Sequence, residues 1–141
     1  MKQVLIAEDN AGDRDLIQMT FDTIAPEYSV RFVTDGEELV AYLAQANPFD
    51  LTFVMLDLNM PGRDGHDALA TLLADERFNT LPIIVFSSST HPDDVTRCYL
   101  QGANAYVRKP DSLGGYSRAI QAITDFWGNT NVLARPAPAA F

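Results

Sequence analysis

Apolar and polar positions along this chain fall into short blocks that switch between two periods. Lys2 to Ala7 (KQVLIA) is a brief apolar run and predicts a first strand. From Ala11 to Ile24, the residues Leu16, Ile17, Thr20, Phe21 and Ile24 share one face at helical spacing, and Pro26 stops that helix. Tyr28 to Thr34 predicts a second strand, with Val30 and Phe32 alternating. Asp35 caps a second helix striped by Leu39, Val40, Leu43 and Ala46, and Asn47-Pro48 ends it. Leu51 to Leu56 (LTFVML) is almost unbroken in its apolar character, as expected of a strand covered on both faces. After a turn-forming loop over 59–65, Leu69, Leu72 and Leu73 mark a third helix. Ile83 to Phe86 is a fourth strand. Pro92 opens a fourth helix carrying Val95, Cys98, Tyr99 and Leu100, and Gly102 closes it. Ala103 to Val107 is a short fifth strand, and a last helix carries Leu113, Tyr116, Ile120, Ile123 and Trp127.

Five strands alternating with five helices imply a parallel sheet with right-handed crossovers and helices on both faces. At this size the flavodoxin-like doubly wound order 2-1-3-4-5 is expected. Residues 1–127 account for that α/β domain. Residues 128–141, ending in the Pro- and Ala-rich ARPAPAAF, are expected to form an extension or flexible tail rather than an output domain.

Charge and length narrow the function. A chain of 141 residues is one ordinary domain, and 19 acidic against 10 basic residues give a formal charge of −9. That balance argues against nucleic-acid and anionic-membrane surfaces. No run approaches the roughly 18 apolar residues of a membrane span. Acids interrupt the N-terminal MKQVLIAEDN too early for a signal peptide, so a cytoplasmic protein is expected. Cys98 is the lone cysteine, which fits a small packing residue.

The candidate chemistry lies at the predicted strand ends. Strand one ends in Glu8 and Asp9, strand three in Asp57, strand four in Ser87, and strand five leads to Lys109. In a doubly wound sheet these ends share one edge, with strands one and three adjacent. Carboxylates crowded there repel one another, and a hard divalent cation such as Mg²⁺ relieves the repulsion through oxygen ligands. Lys109 adds a positive charge and Ser87 a hydroxyl. The set would cradle a phosphoryl group on Asp57, formed by carboxylate attack on phosphorus.

These residues also resemble a known family. Glu8-Asp9, Asp57 followed by Met60-Pro61-Gly62 and Gly65, then Ser87 and Lys109-Pro110, resemble the receiver domain of two-component response regulators over roughly residues 2–127. The resemblance implies that Glu8, Asp9, Asp57 and the Asn59 backbone carbonyl hold Mg²⁺, and that Asp57 takes phosphate from a histidine kinase. Ser87 and Lys109 would contact that phosphate, and Tyr106 would change rotamer as Ser87 moves. Asn59 and Ser89 would tune dephosphorylation, and the Lys109-Pro110 peptide would be cis. More narrowly, GDRDL at 12–16, the DLNMPGRDG loop and DFW at 125–127 resemble stand-alone receivers paired with phytochrome-type kinases. Such receivers commonly form homodimers through the fourth helix, fifth strand, fifth helix and C-terminal extension.

Two other functions compete with a receiver. A Mg²⁺-dependent phosphatase using an aspartyl phosphate would place an acid two residues after the nucleophile, where this chain has Asn59, and no cap domain is evident. A binding module that had lost the switch would not need Glu8, Asp9, Asp57 and Lys109 together. The expected protein is therefore a phosphoacceptor that catalyses only its own phosphorylation and dephosphorylation. His66 and His91 follow turns without metal-ligand spacing and are expected to be solvated. Of Phe126 and Trp127, one is expected to pack and the other to face a partner.

Overall fold

In the computed structural model, which describes residues 2–60 and 65–134, the chain forms one five-stranded parallel sheet. The strands are β1 (Lys2–Ala7), β2 (Tyr28–Val33), β3 (Phe53–Leu56), β4 (Ile83–Ser87) and β5 (Ala105–Arg108). The helices are α1 (Ala11–Ile24), α2 (Gly36–Gln45), α3 (Gly65–Ala74), α4 (Pro92–Gln101) and α5 (Leu113–Asp125). The order across the sheet is β2-β1-β3-β4-β5, the flavodoxin-like arrangement expected of this alternation.

The two-sided burial of the strands explains why they read as continuous apolar runs. Val4, Ile6, Phe53, Met55, Ile84 and Phe86 point to one face, against Ile17 and Phe21 of α1 and Tyr116, Ile120 and Ile123 of α5. Their neighbours Leu5, Ala7, Val54, Leu56, Ile83 and Val85 point to the other, against Leu39 and Leu43 of α2, Leu69 and Leu72 of α3, and Cys98 of α4. Successive strand side chains alternate between faces, so a sheet covered on both sides needs apolar residues at every position.

Local chemistry sets the helix ends. Asn10, Asp35 and Ser112 cap α1, α2 and α5, each accepting a hydrogen bond from a backbone amide three residues on. Gly102 ends α4 at φ +111°, a left-handed conformation that a side chain disfavours.

Strand boundaries moved where pairing decides them. Leu51 and Thr52, expected in β3, precede it: a 3₁₀ turn over Pro48–Asp50 leads in, and parallel pairing starts with Phe53 opposite Val4. Likewise Ala103 and Asn104 lie before β5, whose pairing begins with Ala105 opposite Ile84. The expected stripe of α4 is narrower than predicted. Only Cys98 is buried, while Tyr99 is 50% and Leu100 83% exposed. On α5, Leu113 is exposed and Tyr116, Ile120 and Ile123 carry the packing.

The chain turns once more after α5, through a π-helical turn over Phe126–Thr130. Trp127 packs against the α1–α5 face of the core, whereas Phe126 is exposed. Lys2 Nζ donates to the Gly128 carbonyl at 2.7 Å, and Gly128 lies against the Tyr28 hydroxyl. These contacts tie residues beyond 127 to the start of the sheet. Pro61 and Gly62 lie outside the described residues.

Gly65 opens α3 directly behind the end of β3. Its amide donates to the Leu58 carbonyl at 3.0 Å, and a Cβ there would collide with the Leu58 backbone and come within 2.7 Å of the Asp57 carbonyl oxygen. Backbone cannot swing aside as a side chain can, so Gly65→Ala is expected to destabilise the fold by about 2 kcal/mol. Urea denaturation measures this, and an unchanged midpoint would contradict the close approach.

Candidate functional site

The carboxyl ends of β1, β3, β4 and β5 bring the predicted residues to one edge. β1 delivers Glu8 and Asp9, β3 delivers Asp57, β4 ends on Ser87, and the turn after β5 supplies Lys109. Glu8, Asp57 and Ser87 are buried and Asp9 is exposed. Backbone hydrogen bonds hold three of these in the ladder: the Glu8 amide donates to Val33, the Asp57 amide to Ala7, and the Lys109 amide to Ser87, each near 3 Å. Arg14 pins the loop between β1 and α1, donating to the carbonyls of Glu8 and Asp9 at 3.1 and 2.8 Å.

Lys109 is the electrostatic centre. Its Nζ lies 2.5 Å from Glu8 Oε1, 2.9 Å from Asp13 Oδ2 and 3.1 Å from Asp57 Oδ2. Burial alone would pull the ammonium down. The hydrogen bonds to Glu8 and Asp13 and the charge of Asp57 instead hold it above the ordinary lysine range. Glu8 is also raised, toward its neutral form: burial outweighs the nearby Lys109 and lifts it from 4.5 to about 7. The other oxygen of Asp57, Oδ1, accepts from the Asn59 amide at 3.2 Å.

Glu8, Asp9 and Asp57 each offer a carboxylate oxygen within 4.8 Å of the others, one group of three acids among the described residues. The donor set is all oxygen and carries three formal negative charges. It fits a hard divalent cation such as Mg²⁺ or Mn²⁺ and is a poor match for a metal that prefers thiolate or imidazole.

A second network runs from the hydroxyl end of the site. The Ser89 amide donates to Ser87 Oγ at 3.3 Å, and Tyr106 Oη donates to the Ser89 carbonyl at 2.7 Å. Ser89 Oγ donates to Asp94 Oδ2 at 2.6 Å, and Asp94 Oδ1 meets His66 Nε2 at 3.2 Å. The Ser89 hydroxyl, and then His66, hold the Asp94 carboxyl below its usual range. Tyr106 is half-buried, and burial lifts its hydroxyl above the ordinary value.

Two expectations need amendment, and one residue is added. His66 is not solvated: it is 7% exposed, wedged between α3 and α4 with Asp94 and Gln101 on its two ring nitrogens. A turn before a residue says nothing about the helix that later packs over it. His91 is exposed as expected, and caps α4 through Nδ1. The Lys109-Pro110 peptide is trans, as are all described peptides, against the cis bond implied by the resemblance. The X-Pro preference for trans is only about 0.5–1 kcal/mol, so surrounding packing selects the isomer. Asp13, on the first turn of α1, is not among the expected site residues, although it lies within the GDRDL motif; helical phase turns it toward Lys109 and leaves Asp15 exposed.

Comparison with known proteins gives the assignment. Residues 4–121 match the family model of the response regulator receiver domain. The chain belongs to that family. This receiver is 29% identical over 136 residues to the response regulator Rcp1 of Synechocystis, covering 94% of this chain and 92% of Rcp1. Its fold overlays the Mn²⁺-bound form of Rcp1 with a TM-score of 0.85 at 28% identity, covering 96% of this chain and all of the other. It overlays the phosphorylated cyanobacterial phytochrome response regulator RcpA with a TM-score of 0.87 at 31% identity, covering 95% and 99% of the two chains. A response regulator in red light signalling of R. palustris, RPA3017, gives 0.86 at 34% identity, covering 96% and 100%. Among the receiver's described residues no helix is long and apolar enough to cross a membrane.

The raised Glu8 has a signed consequence. The folded receiver holds that proton more tightly than the unfolded chain, so the group's contribution to stability is full below pH 4.5 and is lost as pH rises through about 7. Removing the lysine sharpens the loss, because buried carboxylates are left without their cation. Lys109→Gln is expected to cost about 3 kcal/mol in metal-free protein at pH 8 and far less at pH 5. Paired urea titrations at the two pH values check this; an equal cost at both would show that the lysine does not balance Glu8.

Proposed function

We propose that this receiver is a phosphoacceptor in a two-component system, taking a phosphoryl group from a histidine kinase onto Asp57 in a Mg²⁺-dependent reaction. The observation that carries the reading is the pairing of buried Asp57 with Lys109 beside a three-carboxylate cluster at the sheet's carboxyl edge. An Asp57 carboxylate oxygen forms the new O–P bond as the bond from phosphorus to the donor's imidazole nitrogen breaks, and the electron pair leaves with the imidazole. The Lys109 ammonium lies where negative charge on the transferred oxygens would build, and stabilising that charge is most of what phosphoryl transfer requires. Glu8, Asp9, Asp57 and the Asn59 carbonyl would hold Mg²⁺, which when bound supplies further neutralisation of the phosphoryl oxygens.

Ser87 would donate its hydroxyl to the phosphoryl group, and Tyr106 would report that movement. Both already meet at Ser89, through its amide and its carbonyl, so a displacement of Ser87 is passed to the ring by hydrogen bonds. Asn59 and Ser89, each two residues past Asp57 and Ser87, would govern the approach of hydrolytic water. The likeness to RcpA and RPA3017 supports a phytochrome-type kinase as the donor. Tyr99, Leu100, Leu113 and Phe126 expose apolar surface on α4 and from α5 onward, which supports a homodimer through α4, β5, α5 and the segment after them. Residues 1–127 would then be the receiver proper, with 128–141 a C-terminal extension or tail, and the chain would act in the cytoplasm by protein contact.

Intact mass after incubation with acetyl phosphate and Mg²⁺ is expected to show one base-labile phosphoryl adduct. The adduct should be absent in Asp57→Asn and with chelator present. A folded Asp57→Asn that still labels would overturn the reading.

Proton competition at Glu8 gives a further expectation. Because Glu8 keeps its proton up to about pH 7, apparent Mg²⁺ affinity should rise by up to about ten-fold per pH unit below 7 and level off above it. Calorimetric titration between pH 5.5 and 8.5 tests this, and a flat profile would remove Glu8 from the ligand set.

A further inference from the structure

Lys109 has one more carboxylate than the site needs. Glu8 and Asp57 belong to the acidic cluster, but Asp13 does not. Asp13 reaches the ammonium from the first turn of α1. Its Oδ2 lies 2.9 Å from Lys109 Nζ, and its Oδ1 accepts from Tyr116 Oη of α5 at 3.4 Å. The Asp13 amide donates to Asn10 Oδ1 at 2.9 Å, which fixes the start of the helix carrying it. Lys109 is 10% exposed and Asp13 29%, so solvent screens this contact only in part. The charge of Asp13, after burial, also lifts the Tyr116 hydroxyl to about 12.

The geometry creates a competition. The ammonium contacts oxygens of Glu8 and Asp57, two of the acids a divalent cation would use. If those were its only acceptors, cation binding would leave a largely buried ammonium without a full set of partners. Asp13 is an acceptor that the cation does not require.

We propose that Asp13 is a positioning residue for Lys109, anchoring the ammonium on the α1 side so that Glu8 and Asp57 can be ceded to a divalent cation while the lysine stays beside Asp57. Tyr116 steadies Asp13 in this role by donating to its second oxygen. The proposal rests on the phosphoacceptor reading and deepens it: the lysine's location is set by a residue outside the metal and phosphoryl ligands.

The test is a double-mutant cycle read by Mg²⁺ calorimetry and by the rate of adduct formation from acetyl phosphate. Asp13→Asn is expected to weaken Mg²⁺ binding by about ten-fold and to slow labelling, as loss of a supporting partner around a metal site does. Asp13→Glu should recover most of both, and Tyr116→Phe should fall between. In a Lys109→Gln background, Asp13→Asn should change Mg²⁺ affinity less than two-fold, because its target is gone. An undiminished effect there would mean that Asp13 acts through its bare charge and would overturn the proposal, as would unaltered binding in folded Asp13→Asn. Absence of Mg²⁺ binding and labelling in the unaltered receiver would instead remove the phosphoacceptor reading itself. Urea midpoints of each variant separate these results from failure to fold.

Discussion

One buried ammonium among carboxylates organises the functional edge of this molecule. Lys109 contacts Glu8, Asp13 and Asp57, which come from the end of β1, the first turn of α1 and the end of β3. Removed from water, each carboxylate would be costly alone; gathered around one cation they are mutually tolerable but unbalanced. Three negative charges face one positive charge, and Glu8 absorbs part of the excess by holding its proton to about pH 7. A site in that condition is poised for additional positive charge. That is a physical reason for reading it as a cation site that then receives a phosphoryl group.

The parallel sheet is what makes the gathering achievable. Each strand runs in the same direction, so every strand end meets the same edge, and β1 and β3 are neighbours at the point where the order reverses. The apolar residues on both faces of β1, β3 and β4 fix their register, because a slip of one residue would exchange the two faces throughout. Register in turn fixes the relative height of Ala7 and Leu56, paired across the sheet, and so of Glu8 and Asp57 just beyond them. Core packing and site geometry are thus one constraint expressed at two places.

The hydroxyl end of the site is linked differently. Ser87, Ser89 and Tyr106 are joined by hydrogen bonds that continue through Asp94 to His66, between α3 and α4. The loop after β4 is therefore connected to α4 through Asp94 and, through His66, to α3.

Much of this was legible in the chain before any coordinates. Two-sided strands betray themselves as continuous apolar runs, helices as stripes with Asp35 as a cap, and turns through Pro26, Pro48 and Gly102; these are local properties. The strand-end residues Glu8, Asp9, Asp57, Ser87 and Lys109 stood out because polar groups at the ends of buried strands require a reason. Tertiary structure alone decided matters that depend on what packs against what. It buried His66 under α4, narrowed the α4 stripe to Cys98, set the isomer at Pro110, and started β3 and β5 where a neighbour could pair. It also turned Asp13, one acid among 19 acidic residues, toward Lys109, 96 positions away. Periodicity records which face of an element is apolar, but a polar contact between distant elements leaves no periodic trace, and only the folded chain brings its two ends together.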